Sequence, residues 1–318
     1  MMGNKIDRRE FILKSAKMGL SVTVGGNLLG KVVSGTTAVA ADGGEVDIAV
    51  VKGSDYLKST QKAVELLGGM GQFIPKGSRV AILPNVQRWH PGTFTKPEIV
   101  RAVVQMCLQA GAKEVNCLSW LEMKNWESTG LAAVLKEEGA TLNLVANEEA
   151  NFKSVKVLKG KALDEAMIMK EFYNNDVFID MPITKDHAGN KFTGTMKNLM
   201  GLNYRQNNRE KFHKENWTTD INAIMHLDQC IADLNTVITP ALCIVDATEF
   251  IITNGPMGPG ELTGPQKIVA GVDRVAMDAY CCTLWGLNPT DIFQIKMAHE
   301  LGLGEIDSAK MRIKEITV

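Results

Sequence analysis

Long apolar runs are missing. After residue 40 no segment approaches the roughly 18 uninterrupted apolar residues that a membrane-crossing helix needs, so no membrane span is expected in the body of the chain. Dense lysine–arginine runs are missing too, and the 318 residues sum to a net charge of −1, which removes the electrostatic basis for a nucleic-acid partner or an acidic membrane surface. Six cysteines, Cys107, Cys117, Cys230, Cys243, Cys281 and Cys282, form no C-x-x-C pair, no ferredoxin-type run and no haem attachment motif. Adjacent Cys281 and Cys282 fall in a helical pattern and point to different faces, a poor local pair, so buried free thiols are the favoured reading of the six, with metal ligands or a disulfide as the alternatives. Also absent are the G-x-x-x-x-G-K-[ST] phosphate loop, the H-E-x-x-H zinc motif, internal repeats and low-complexity linkers.

What is present is an ordinary soluble composition, 45% apolar and 22% charged, enough for a sizeable core. The first forty residues stand apart from it. Arg8 and Arg9 precede Phe11, Ile12 and Leu13, a mildly apolar stretch follows, and Ala38 and Ala40 flank Val39 in a small-x-small pattern. This resembles a twin-arginine export signal, with cleavage expected after Ala40. The implied partner is the twin-arginine translocation machinery, and the implied location is periplasmic or otherwise extracytoplasmic; an uncleaved signal that tethers the chain is the alternative. Residues 1–40 hold six basic side chains against two acidic ones, a net of +4, which leaves −5 for residues 41–318 of a chain whose total is −1.

From residue 41 onward strand and helix patterns alternate. "VDIAVV", "SRVAILPNV", "KEVNCLSW" and "TLNLVA" read as strands separated by helical stretches with glycine stops, the signature of right-handed crossovers and a parallel sheet. "SVKVLKG" and "DVFIDMP" read as strands around a short helical piece, "ALCIVDATEF" as an apolar strand, and "MRIKEITV" as a terminal strand. The expected fold is therefore α/β, with a mostly parallel, doubly wound sheet covered by helices on both faces, as one domain over 41–318 with the possibility of two lobes.

The stretch "MPITKDHAGNKFTGTMKNLMGLN" concentrates the polar chemistry at the carboxyl end of an apolar strand, where α/β proteins place ligand groups. Lys185 and His187 fall there, followed by Thr193 and Thr195 ahead of a short helical run with Lys197 and Asn198. Unpaired helix-terminal N–H groups and two lysines suit a carboxylate or phosphate, so a small anionic ligand is expected. Asp246 ends another strand, the glycine- and proline-rich loop behind it offers Asn254 and Gly255, and Asn85 stands at a third strand end. Asp246, Asp273, Asp278 and His226 are candidate ligands for a divalent metal, though Asp273 also fits a helix N-cap. His187, Lys185, Lys197 and Asp246 are the catalytic candidates; Asn85, Thr193, Thr195, Asn198, Asn254 and Gly255 are the ligand-binding ones.

Taken in order, "ILPNV", "MPITKDH", "TGTMKNLMG", "HLDQCIADLN", "CIVDA", "NGPMGPG" and "VAGVDRVAMDAY" resemble the family called domain of unknown function 362, in a form with a twin-arginine signal. The positions matching its pattern are Asn85, Lys185, His187, Thr193, Lys197, Asn198, His226, Asp246, Gly255, Pro256, Asp273 and Asp278. Position 274 is Arg where many members have proline. Some members carry ferredoxin-like cysteine motifs; this sequence has no such insertion, so an iron–sulfur cluster is not carried over to it. Two functions follow: an exported enzyme or metal- or anion-site protein acting on a small anionic molecule, or a non-catalytic binding or accessory protein of an envelope redox pathway.

Overall fold

Short β-branched and aliphatic runs set the strand positions. In the computed structural model, which describes residues 46–318, they form β1 (Ile48–Lys52), β2 (Arg79–Pro84), β3 (Glu114–Ser119), β4 (Thr141–Leu144), β5 (Phe152–Lys156), β6 (Glu165–Met169), β7 (Val177–Met181), β8 (Leu242–Ala247), β9 (Phe250–Ile251), β10 (Leu262–Thr263), β11 (Lys267–Gly271) and β12 (Ile313–Thr317). The twin-arginine pattern and the expected cleavage after Ala40 lie outside the described residues. One eight-stranded sheet runs in the order β12-β1-β11-β8-β7-β2-β3-β4, with β11 alone running against the rest. The fold is thus α/β with a mostly parallel sheet, as the alternating sequence pattern implied.

Period-two alternation divides the core into two layers. Val80, Ile82, Val115, Cys117, Ile179 and Ile244 face the helices Tyr56–Leu66, Pro97–Gln109 and Leu131–Glu137 through Ala63, Val64, Ile99, Val103 and Leu131. Their neighbours Ala81, Leu83, Phe178, Cys243 and Val245 face the helices Ile221–Leu234, Arg274–Thr283 and Phe293–Glu300 through Leu227, Ile231, Val275 and Ile295. Burying each such aliphatic side chain contributes roughly 1.5–3 kcal/mol, which is what holds helices of these modest lengths on the sheet. Both faces are covered, but the crossover helices of the first half all lie on one of them; the second half of the chain supplies the other layer. All six cysteines are buried and unpaired.

Between β5 and β7 the structure departs from expectation. The segment read as a short helical piece contains β6, which pairs antiparallel with β5 as a separate two-stranded ribbon. "EAMIM" is too short to show a period, and a strand paired only locally carries no long apolar run. The glycine- and proline-rich loop after β8 is likewise not wholly irregular, since β9 and β10 pair within it.

Candidate functional site: a cationic cavity at the strand ends

The carboxyl ends of β2, β3 and β7 open into a cavity of about 680 Å³. Its upper wall is built by the loop after β7, which doubles back as a tight hairpin: Lys185 and Thr193 exchange backbone hydrogen bonds of 3.2 and 2.9 Å. Gly189, at φ 76°, lets this hairpin pass the next segment, because a Cβ there would stand 2.5 Å from the Trp217 carbonyl oxygen. Gly255 does the same on the other side. Its N–H donates to Asp186 Oδ2 at 2.8 Å, and a Cβ would run into the Asp186 carbonyl oxygen. The loop carrying "NGPMGPG" is thereby clamped onto the loop after β7, and brings Pro256 and Met257 to the cavity.

A chain of side-chain hydrogen bonds crosses the floor. Lys185 Nζ, fully buried, donates to Asn85 Oδ1 at 3.0 Å and to the Thr93 carbonyl at 2.6 Å. Asn85 Nδ2 donates to Asn198 Oδ1 at 2.9 Å, and Asn198 Nδ2 donates to Asp180 Oδ1 at 2.7 Å. Each amide is oriented by the charged group beyond it, so Asn85 and Asn198 are held without freedom to flip. Burial lowers the Lys185 ammonium to about 7, helped by repulsion from Lys197, while burial raises the Asp180 carboxyl well above the usual range.

Lys197 is the side chain left with spare donors. It lines the cavity, and among the described residues its amine finds one hydrogen-bond partner, the Met200 sulfur at 3.7 Å. Burial draws it down to about 8, with Asp228 pulling the other way. Two imidazoles stand nearby. His187 and His213 both pack against Trp217, with ring centroids 5.5 and 4.9 Å from the indole. Each Nδ1 lies 2.8 Å from a backbone carbonyl, of Ala188 and Asn208 respectively. A carbonyl only accepts, so Nδ1 carries the proton and Nε2 keeps a lone pair. Burial, reinforced by the Lys197 charge, holds both rings below the usual histidine range, His187 well below, so both are neutral bases at neutral pH.

The remaining wall is strongly cationic. Arg88, Lys197, Arg205, Arg209 and Lys214 line it against Glu122 and Glu215, and Trp120 and Trp217 supply flat apolar surface. Of the sequence candidates, His187, Lys197, Asn85, Thr193 and Asn198 line this one cavity, and Lys185 braces it from beneath. The others serve elsewhere. Asp246 shares the parity of Leu242 and Ile244 and points to the opposite layer, where it accepts from the Lys96 N–H at 2.9 Å and from Thr248. Asp278 accepts from the Thr195 N–H at 2.6 Å, the Thr195 hydroxyl at 2.9 Å and the Met196 N–H at 3.1 Å, which caps the short helix Thr195–Asn198. Asp273 caps the helix Arg274–Thr283 through the Ala276 N–H, and His226 Nε2 lies 2.7 Å from the Lys211 carbonyl. Asn254 turns its amide back onto the Pro259 carbonyl at 3.2 Å. Asp246, Asp273, Asp278 and His226 are therefore not brought together as a metal site. Among the described residues no group of three or more His, Cys, Asp or Glu side chains is placed to hold a metal ion.

Sequence reasoning missed Arg205, Arg209, His213 and Trp217. A spacing of four residues puts Arg205 and Arg209 on one side of a segment that runs from a helical turn at Arg205–Asn207 through a wider π-type turn at Asn208–Phe212, while His213 and Trp217 follow beyond its end in irregular backbone.

Among known proteins, the thylakoid-associated protein sll1697 of Synechocystis is 28% identical over 256 residues, 78% of this chain and 75% of that protein. A lactate racemase apoprotein from Thermoanaerobacterium thermosaccharolyticum is a distant structural neighbour, with 14% identity and a TM-score of 0.41 over 69% of this chain and 54% of that one, so the match spans about half of that protein. Residues 80–283, running from β2 to the end of the helix Arg274–Thr283 and holding the whole of the loop after β7, match the family described as domain of unknown function (DUF362), and the chain belongs to that family.

Proposed function

We propose that this chain is an enzyme that binds a small anionic molecule in the cavity and carries out acid–base chemistry on it. The observation that carries the proposal is the grouping of Lys197 with two neutral imidazoles in a cavity whose lining holds five cationic side chains against two acidic ones. Arg205, Arg209, Arg88 and Lys214 supply the attraction for a carboxylate or phosphate. Lys197 meets the anion from the floor, and His187 or His213 offers the Nε2 lone pair that takes a proton from it. A positioned base of this kind accelerates proton transfer by roughly 10²–10⁴-fold. Lys185, with its donors committed to Asn85 and Thr93, holds the floor in place and does not itself reach the ligand.

The test is incubation of the purified chain in D₂O with a panel of small carboxylates and phosphate esters, followed by proton NMR and calorimetry. Binding together with loss of a C–H signal, abolished in His187→Gln or His213→Gln, is the expected result. Binding with no exchange and no product across the panel overturns the enzymatic reading and leaves a ligand-binding accessory protein.

We also propose that residues 1–40 direct export by the twin-arginine route, on the strength of Arg8–Arg9 followed by an apolar stretch and the Ala38-Val39-Ala40 pattern. Export of a fused reporter that stops in Arg8→Lys/Arg9→Lys supports this; export unaffected by the double change refutes it.

A further inference from the structure

A ligand consisting of little more than its anionic group would leave most of the cavity to water. The volume of about 680 Å³ lies well inside the roughly 300–1,000 Å³ of sites that enclose drug-sized molecules. The wall is also divided by chemistry. Beside its cationic side chains it presents Leu83, Val86, Met200 and Met257, together with two half-buried indoles, Trp120 and Trp217. Apolar and aromatic surface of this kind gains nothing from a bare carboxylate or phosphate, and gains free energy when a flat apolar group covers it.

The two indoles differ in what already covers them. Trp217 has both imidazoles packed against it, at 5.5 and 4.9 Å between ring centroids. Among the described residues no aromatic ring packs on Trp120; its neighbour is the Arg205 guanidinium, 5.9 Å from the ring centroid. Arg205 is exposed, and a guanidinium stacks as readily on a ligand ring as on an indole. The mount of Trp120 is firm. It follows the last residue of β3, Ser119, whose carbonyl accepts from the Val145 N–H at 2.7 Å and whose hydroxyl accepts from the Leu121 N–H at 2.9 Å. Asn125, a few residues on, donates to the Val86 and Gln87 carbonyls at 3.0 and 2.9 Å, which ties the segment bearing Trp120 to the loop after β2.

Sheet order sets how far this indole stands from the anion end. β2 lies between β7 and β3. Asn198, next to Lys197, bonds both to Asp180 of β7 and to the Leu83 carbonyl of β2, at 2.7 and 2.9 Å. Adjacent strands are roughly 4.8 Å apart, so Trp120 stands one to two strand spacings, roughly 5–10 Å, from the Lys197 end. A fused pair of rings spans that interval. We infer that the cavity takes an aryl anion, a carboxylate or phosphate ester whose flat conjugated ring system lies on Trp120 while its anionic group reaches Lys197. This names the ligand class of the anion site described above and rests on that reading. Trp120 is then the specificity-determining residue: ring stacking and buried apolar area add affinity that small anions of the same charge have no means to obtain.

The experiment is calorimetry on the full chain with 2-naphthoate and 2-naphthyl phosphate, each compared with its small counterpart, acetate or inorganic phosphate, and with neutral 2-naphthol. The naphthyl anions are expected to bind roughly tenfold or more tighter than their small counterparts, and the member of the pair with the larger gain identifies carboxylate or phosphate as the natural group. Trp120→Leu is expected to shrink that ratio to about threefold or less, and Trp120→Phe to keep most of it. A ratio unchanged in folded Trp120→Leu overturns the inference. Should Trp120→Leu not fold, the indole N–H signal of Trp120, assigned by its disappearance in Trp120→Phe, decides in the wild type: it must shift on saturation with 2-naphthoate, and an unmoved signal overturns the inference. Small anions that bind as tightly as the naphthyl ones remove the aryl preference and keep the anion site. Naphthyl anions that bind no tighter than 2-naphthol keep the aromatic platform and remove the anion site.

Discussion

His187 and Lys197 differ in what their loss should do, because one offers a lone pair and the other a charge. In His187→Gln the amide can still reach the Ala188 carbonyl, so the loop stays in place while the basic Nε2 is gone. Turnover is expected to fall by about 10²-fold or more with ligand affinity nearly unchanged, seen as a drop in kcat at constant KM. Arg205 and Arg209 are exposed and should behave differently: Arg205→Gln or Arg209→Gln is expected to weaken anion binding by only roughly 2–5-fold, the effect growing as salt is lowered. Calorimetry at two ionic strengths checks this. Gly255 is the residue-scale test of architecture. A methyl group there meets the backbone of Asp186, which has no flexible end to move aside, so Gly255→Ala should cost about 2–4 kcal/mol or displace the loop. A wild-type melting temperature with unchanged ligand affinity would contradict that reading of the clamp.

At the scale of elements, one carboxylate pins a whole loop. Asp233, fully buried near the end of the helix Ile221–Leu234, accepts from the Lys161, Ala162 and Leu163 N–H groups at 2.8, 2.7 and 2.9 Å on Oδ2, and from Gln229 Nε2 at 2.8 Å on Oδ1. Asp233→Ala leaves three backbone donors without that acceptor, and since hydrogen bonds to a charged group are worth roughly 1.5–3 kcal/mol each, a net loss of about 3 kcal/mol is expected. For a chain of this size, with an unfolding entropy of roughly 0.6 kcal/mol/K, that is a fall of about 5 °C in Tm, measured by calorimetry. The same bonds show why some elements were legible in the sequence and others were not. β2, β7 and β8 are dominated by apolar residues because both their faces are buried, with Asp180 and Asp246 as the exceptions near the strand ends, and such runs are read directly. β6 has only β5 as partner and carries no such run. The candidate site divides in the same way. His187, Lys197 and Asn198 announced themselves as a polar cluster after a buried strand. Arg205, Arg209 and His213 are scattered among Asn, Glu and Lys in a surface-like segment, and only the four-residue spacing of the two arginines sets any of them apart. Asp246 was misplaced because being at a strand end says nothing of which face a side chain takes; its even parity with Leu242 and Ile244 decides that.

Across the whole molecule, charge is distributed against the average. Residues 41–318 sum to −5, yet the cavity wall carries more positive than negative side chains, so an approaching anion is repelled weakly by the body and drawn to one opening. That attraction depends on pH through Lys197, which burial lets lose its proton near 8. Binding of the anion favours the protonated lysine, so it should be accompanied by proton uptake around that value. Affinity is therefore expected to be nearly constant below about pH 7 and to fall by up to roughly tenfold per unit above about pH 8 as Lys197 titrates. His187 and His213 do not add a second step above pH 7, since burial and the Lys197 charge hold both below the usual histidine range. Calorimetry from pH 6 to 9 in two buffers of different ionisation enthalpy measures both the affinity and the protons taken up. An affinity that does not change between pH 6.5 and 9 would show that the charge on Lys197 is not what the ligand meets, and would shift the anion's contacts to Arg88, Arg205 and Arg209, whose guanidinium groups hold their charge over the whole interval.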